Sequence, residues 1–181
     1  PLNIFRSDVF EAAEMVNADS PCYMCARMRR GCLYARAKEL GCNKIALGHH
    51  RSDVIETTLM GMFYGGQVQG MMPRIKSSNF EGMELIRPMY CILEEDIEHW
   101  RDYNGLHFIA CACSFTQRLA DSGQARSVRA EMKELVKEMK RRNPDVEKSL
   151  FRSIHNVQLD TLPGWKSQGV VHSFLERFED D

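Results

Sequence analysis

No stretch of this 181-residue sequence holds the roughly 18 consecutive apolar residues of a membrane span. Its first residues, mixed polar and apolar, do not read as a signal peptide. Neither sign of charge is in excess: 24 basic and 25 acidic side chains leave a formal net charge of −1. That balance argues against a general nucleic-acid binder, so any RNA contact has to come from a local basic patch or another part of the protein. Internal repeats and low-complexity tracts are absent too. What the chain does have is 44% hydrophobic residues, enough for one globular core or a large piece of one. It also has seven cysteines, an odd number. The segments around them are long, helical and Met-rich, unlike a secreted disulfide scaffold, and they predict a reducing cytoplasm with thiols free or bound to metal.

The pattern of elements predicts an α/β fold. Pro1 to Phe5 reads as the end of a strand, and Asp8 to Ala18 as a helix. Asp19-Ser20-Pro21 is a helix-start signal for a helix over Cys22 to Leu40, stopped by Gly41. Lys44 to Gly48 suits a buried parallel strand, and Asp53 to Tyr64 a second helix ended by Gly65-Gly66. Gln67 to Gly82, Gly- and Met-rich, reads as a surface loop; Glu84 to Ile86 is a strand, Glu94 to Tyr103 a helix and His107 to Ala110 a strand. Ser114 to Ala125 reads as loop, Arg126 to Arg142 and Val146 to His155 as charged helices, and the stretch past Pro163-Gly164 as a short final helix. Strand and helix alternating through short loops imply a doubly wound α/β domain on a parallel sheet, with ligands at the carboxyl ends of the strands. A first domain over 1–120 and a helical C-terminal extension over 121–181 follow from this order.

Two stretches carry chemistry. Cys22-Tyr23-Met24-Cys25 sits at a helix start, where first-turn amides and the helix dipole favour thiolate. Cys111-Ala112-Cys113 follows a predicted strand, so the two pairs can converge at one edge of the sheet. Three thiolates suit an iron–sulfur cluster or zinc with one metal position open, and soft ligands select Zn, Cu(I) or Fe–S. The alternative is chance spacing with small cysteines filling a core. Cys32, two turns and roughly 10 Å beyond Cys25, is too far to share a small cluster; Cys32, Cys42 and Cys91 are assigned to the core. In the second stretch, Leu47-Gly48-His49-His50-Arg51-Ser52-Asp53, a strand ends at a glycine, two imidazoles follow and an acid opens a helix. Such a turn can meet a nucleotide, with Asp53 holding Mg²⁺. The plainer reading makes Asp53 a helix N-cap beside two partly exposed histidines.

Together these residues resemble the tRNA 2-thiocytidine synthetases, a branch of the PP-loop ATPases. The resemblance runs through Cys22-Tyr23-Met24-Cys25-Ala26-Arg27-Met28-Arg29-Arg30-Gly31, Lys44-Ile45-Ala46-Leu47-Gly48-His49-His50, Met62-Phe63-Tyr64-Gly65-Gly66, Ile86-Arg87-Pro88 and the late cysteine pair, over residues 1–160. It implies an adenine nucleotide alpha hydrolase-like fold. ATP would activate the C2 carbonyl oxygen of an anticodon-loop cytidine as an adenylate, and sulfur would displace AMP. It further implies a [4Fe-4S] cluster on Cys22, Cys25 and Cys113, with Cys111 the alternative third ligand. Gly48, His49, His50 and Asp53 would form the nucleotide motif. Asp53 would act in catalysis with Mg²⁺, and Arg29, one turn past Cys25, would be a catalytic residue at the position where relatives place a basic residue next to the cluster. The partners implied are tRNA, ATP, a sulfur donor such as a cysteine desulfurase, and a second copy in a homodimer.

Two departures accompany the resemblance. The family's Ser-Gly-Gly-x-Asp-Ser loop is absent from these residues, since Gly65-Gly66 leads into Gln67-Val68. A chain incomplete at its N-terminus is the expectation drawn from that. Ser52 stands where relatives carry an aspartate. The competing readings are a non-catalytic metal- or RNA-binding module and a tRNA 2-thiouridine-type relative, although the extra Cys-x-x-Cys pairs common in the latter are missing. Arg27, Arg29, Arg30, Arg36 and Lys38 make the cysteine helix basic and the candidate RNA contact. Lys133, Lys137, Lys140, Arg141 and Arg142 read instead as a solvated, salt-bridged face.

Overall fold

The computed structural model describes residues 2–9, 12, 21–108 and 127–178. It divides into two compact units, Pro1–Leu135 and Val136–Asp181. The boundary expected after residue 120 lies outside the described residues. Among these residues no helix is long and apolar enough to cross a membrane.

In the first unit, α1 (Pro21–Glu39) ends where the chain turns left-handed at Gly41, φ 72°. The Cys42 N–H donates to the Ala37 carbonyl at 2.8 Å and the Gly41 N–H to the Lys38 carbonyl at 3.0 Å, which satisfies helix-end carbonyls that would otherwise lack partners. β1 (Lys44–Ala46) then pairs in parallel with β3 (Glu84–Ile86), Ile45 opposite Leu85. β2 (Arg74–Lys76) adds an antiparallel edge, giving the order β1-β3-β2. One face of this sheet packs under α1: Tyr34, Met83 and Leu85 are buried, with Ala37, Ile45, Leu47 and Phe80 against them. The Tyr34 and Phe80 rings stack at 5.0 Å. After β1, α2 (Arg51–Tyr64) buries Val54, Ile55 and Leu59, each side chain contributing about 1.5–3 kcal/mol by leaving water. α3 (Glu94–Tyr103) opens on three acids that suit its positive end. α4 (Val128–Arg142) begins with Ser127 Oγ accepting the Ala130 N–H at 3.2 Å, and the division between the units falls within it.

The second unit holds α5 (Val146–Ile154) and a β-hairpin of β4 (Gly164–Ser167) and β5 (Val170–Ser173). Its two-residue turn, Gln168-Gly169, has both φ positive (52° and 83°), the geometry whose twist matches antiparallel strands. Trp165 stacks on His172 at 5.1 Å across the strands.

The α/β class, the parallel β1–β3 pair and the main helices agree with the sequence. Five expectations need correction. Residues 2–8 form no strand. β2 lies inside the stretch read as loop; only three residues long and exposed throughout, it has no alternation to betray it, and a bidentate Arg74–Glu84 pair (3.0 and 2.6 Å) ties it to β3. The final segment is a hairpin followed by a 3₁₀ turn (Phe174–Arg177), not a helix. Residues 106–108 are not strand, and the rest of that expected strand lies outside the described residues. Cys42 and Cys91 are exposed and Cys32 half-buried, so they are not core cysteines: Cys42 follows the α1 cap on the surface and Cys91 sits in the turn before α3.

Candidate functional site

The carboxyl end of β1 runs through Leu47 and Gly48 into His50, the N-cap of α2. A Cβ at Gly48 would meet nothing within 4 Å, so the space over the strand end is open. The first turn of α2 is tied down on both sides. Asp53 Oδ2 accepts the His50 backbone N–H at 3.0 Å and lies 3.4 Å from His50 Nε2, while the Arg51 N–H donates to the Ile92 carbonyl at 2.9 Å. Asp53 is therefore not the N-cap but the third residue of the helix, closing the cap of His50 from within. Among the described residues the buried His50 Nδ1 has no hydrogen-bond partner.

The second Asp53 oxygen is engaged as well, by a residue the sequence did not single out. Arg129, in the first turn of α4, donates through Nη1 to Asp53 Oδ1 and Glu56 Oε2, both at 3.0 Å, and through Nη2 to Thr57 Oγ1 at 3.3 Å. Glu56 is 5% exposed. Burial raises its carboxyl above the ordinary value, and the Arg129 guanidinium opposes that rise. Nothing local reveals Arg129, since its partners lie 72 to 76 residues earlier.

His49 faces another arginine. Arg87, at the end of β3, donates from Nε to His49 Nδ1 at 3.4 Å and from Nη1 to the Met72 carbonyl, and its backbone N–H reaches the Pro73 carbonyl at 2.9 Å. Burial lowers the His49 pKa; Asp53 opposes that, and the charges of Arg87 and Arg129 reinforce it. Burial lowers the Arg87 pKa, and the nearby charge of Arg30 on α1 adds to that lowering.

Cys22 and Cys25 both lie in the first turns of α1, three residues apart along the helix. Cys25 is half-buried and in no disulfide. Cys111 and Cys113 lie outside the described residues, and among the described residues no group of three or more His, Cys, Asp or Glu is placed to hold a metal ion. Soft thiols one helical turn apart suit the paired ligands of an iron–sulfur cluster. Mg²⁺ is a different case: the Arg129 guanidinium lies 3.0 Å from Asp53 Oδ1, so a cation at this carboxylate as placed would face a fixed positive charge, which does not fit that ion. Arg29 and Arg30 are exposed on α1, Arg30 with Nε 3.4 Å from the Ala26 carbonyl. In the late helices the basic residues have acidic neighbours: Lys133 meets Glu94 at 2.7 Å, Lys140 meets Glu147 at 2.9 Å, and Arg141 and Arg142 share Glu138.

Residues 16–119 match the model of a protein family described as a PP-loop domain, a span that includes both cysteine pairs, the strand-end turn and Arg87. The chain is 40% identical over 139 residues to the tRNA-cytidine(32) 2-sulfurtransferase of Geobacter metallireducens, covering 77% of this chain and 51% of the relative. To the enzyme of the same name from Paraburkholderia phytofirmans it is 36% identical over 159 residues, 87% of this chain and 45% of that one. The chain thus spans about half the length of the curated relatives it matches. Among solved structures, it shares the fold of the U34-tRNA thiolase NcsA from Methanococcus maripaludis, determined with its [4Fe-4S] cluster. The TM-score is 0.60 at 19% identity, over 83% of this chain and 48% of that one.

Proposed function

The chain belongs to the PP-loop domain family, and from that premise we propose that the protein thiolates a cytidine of the tRNA anticodon loop at C2, at the expense of ATP. The observation that carries this reading is the Cys22/Cys25 pair in the first turns of α1, taken together with the open end of β1 at Gly48, in a chain so like the tRNA-cytidine sulfurtransferases. ATP would convert the C2 carbonyl oxygen to an adenylate with loss of pyrophosphate, and sulfur from a donor such as a cysteine desulfurase would displace AMP. Cys22 and Cys25, with Cys113 or Cys111, would hold a [4Fe-4S] cluster, which supplies an iron able to carry sulfur. Gly48 leaves room for the nucleotide at the strand end, and His49 and His50 line it. Asp53 acts by fixing the first turn of α2 and by holding Arg129, and no step is assigned to a divalent ion bound there.

The deciding experiment expresses the protein from its complete reading frame in cells lacking their own cytidine thiolation and digests the tRNA for nucleoside mass spectrometry. Appearance of 2-thiocytidine is expected. Its absence, with thiouridine in its place or with tRNA bound but unmodified, would replace the proposal by a uridine thiolase or a binding module.

Arg29 and Arg30 divide the RNA-facing work of α1. Arg29, one turn past Cys25, is expected to act on the reaction: Arg29→Ala lowers the thiolation rate with little change in tRNA affinity. Arg30→Ala weakens binding for all tRNAs and reduces the salt slope by about 1, the signature of one lost phosphate contact. A salt series of tRNA binding measured beside thiolation rates checks both, and full activity with an unchanged slope in both variants would reduce this helix to a scaffold for its cysteines.

A further inference from the structure

The strand-end site contains a histidine whose chemical state is set by its neighbour. Arg87 has only N–H groups to offer and keeps its proton throughout the working pH range. Its Nε lies 3.4 Å from His49 Nδ1, so that ring nitrogen presents its lone pair to Arg87 and the single proton of the neutral imidazole belongs on Nε2. Arg87 is itself held in place. Its backbone N–H is bonded to Pro73, its Nη1 to the Met72 carbonyl, and its peptide unit continues from β3, which pairs in parallel with the β1 strand leading to His49. Backbone therefore places both ends of the pair, and the Arg87 contact selects the orientation of the ring.

We propose that Arg87 is a positioning residue that fixes His49 as a neutral Nε2–H donor, directed to a phosphate oxygen of the nucleotide bound at the carboxyl end of β1. The inference rests on the proposed nucleotide site. It makes His49 a hydrogen-bond donor from Nε2, with Nδ1 unavailable as a proton acceptor. The field around the ring agrees: burial and the nearby Arg87 and Arg129 charges hold it neutral, against the attraction of Asp53. A preorganised donor of this kind costs no reorientation when charge develops on the oxygen it faces.

The test uses the protein expressed from its complete reading frame, labelled with ¹⁵N at histidine. In the wild type at pH 7 the His49 ring is expected to be neutral with its proton on Nε2, and the Nε2 resonance to move on addition of ATP more than on addition of inorganic phosphate. In Arg87→Met the ring should populate the Nδ1–H form. Rates separate positioning from mere support of the Met72–Pro73 loop. His49→Ala should lose about 10²-fold in thiolation, the scale of one preorganised donor, and Arg87→Met roughly 10-fold or more. His49→Gln keeps an N–H where Nε2 was and no longer needs a fixed tautomer, so adding Arg87→Met to it should cost little more. An Nδ1–H or protonated His49 in the wild type would overturn the inference, as would an equal rate loss from Arg87→Met in both backgrounds. Failure of the functional reading is distinct: a wild type that makes no thiolated nucleoside refutes that reading, while the tautomer still reports on Arg87.

Discussion

Replacing Arg129 with methionine is expected to lower the stability of the first unit by about 2 kcal/mol at pH 7, read as a fall in the urea midpoint. The reason is Glu56. Removing one partner of a buried ion pair typically costs about 3–5 kcal/mol because it strands the other charge. Here the discount is for Arg129, whose side chain is 42% exposed while that of Glu56 is 7% exposed. The pH dependence has a defined sign. Burial already raises the Glu56 carboxyl, and Arg129 restrains it; without the guanidinium it rises further. A carboxyl whose folded pKa lies above its unfolded one favours the fold while protonated, and that advantage disappears as pH climbs through the folded value. The deficit of Arg129→Met against the wild type should therefore be small near pH 4, grow as pH rises through the variant's raised Glu56 pKa, and then level off. Glu56→Gln in the Arg129→Met background leaves only the more exposed Asp53 carboxylate without the guanidinium and should remove most of the deficit and its pH dependence, a coupling that a double-mutant cycle measures. A variant as stable as the wild type at pH 7, or one that Glu56→Gln fails to rescue, would mean the three contacts of Arg129 are incidental.

Cys25→Ala is expected to abolish iron–sulfur loading altogether. Anaerobic reconstitution of the protein with ferrous iron and sulfide should give a brown product with broad visible absorption. Cys22→Ala, Cys25→Ala and Cys113→Ala should stay colourless and make no 2-thiocytidine. Loss is total rather than graded because a thiolate ligand has no neutral substitute, and Cys32, the next cysteine along α1, is too far away to take over, at roughly 10 Å of helical rise. Cys42→Ala is the control: that thiol is exposed beyond the cap of α1 and should leave the colour unchanged. Equal loss from every cysteine replacement would indicate misfolding. Stoichiometric zinc in protein prepared without oxygen, with no iron taken up, would overturn the cluster.

Much of this was open to the sequence because it rests on short-range rules. The helix from Pro21 to Glu39 is announced by Asp19-Ser20-Pro21 and stopped by Gly41, and β1 by an apolar run between turn residues. Both follow from contacts within a few positions of the chain. The cysteine spacing is legible for the same reason, as three residues on a helix make one turn. The strand β2 was not, because a three-residue exposed edge exists only through its partner β3. The hairpin near the C-terminus has a local sign, a two-residue turn ending in Gly169 between Trp-Lys-Ser and Val-Val-His, but its strands are too short to outweigh a helical reading. At the site itself, sequence alone named Gly48, His49, His50 and Asp53, because a strand running into a helix start is a local pattern. What each of them contacts was decided by tertiary structure. Arg129 and Arg87 come from 76 and 38 residues away to occupy the Asp53 carboxylate and the His49 ring. Charge and proton placement depend on what lies across a few ångströms of poorly solvated space, and the order of residues along the chain does not encode that distance.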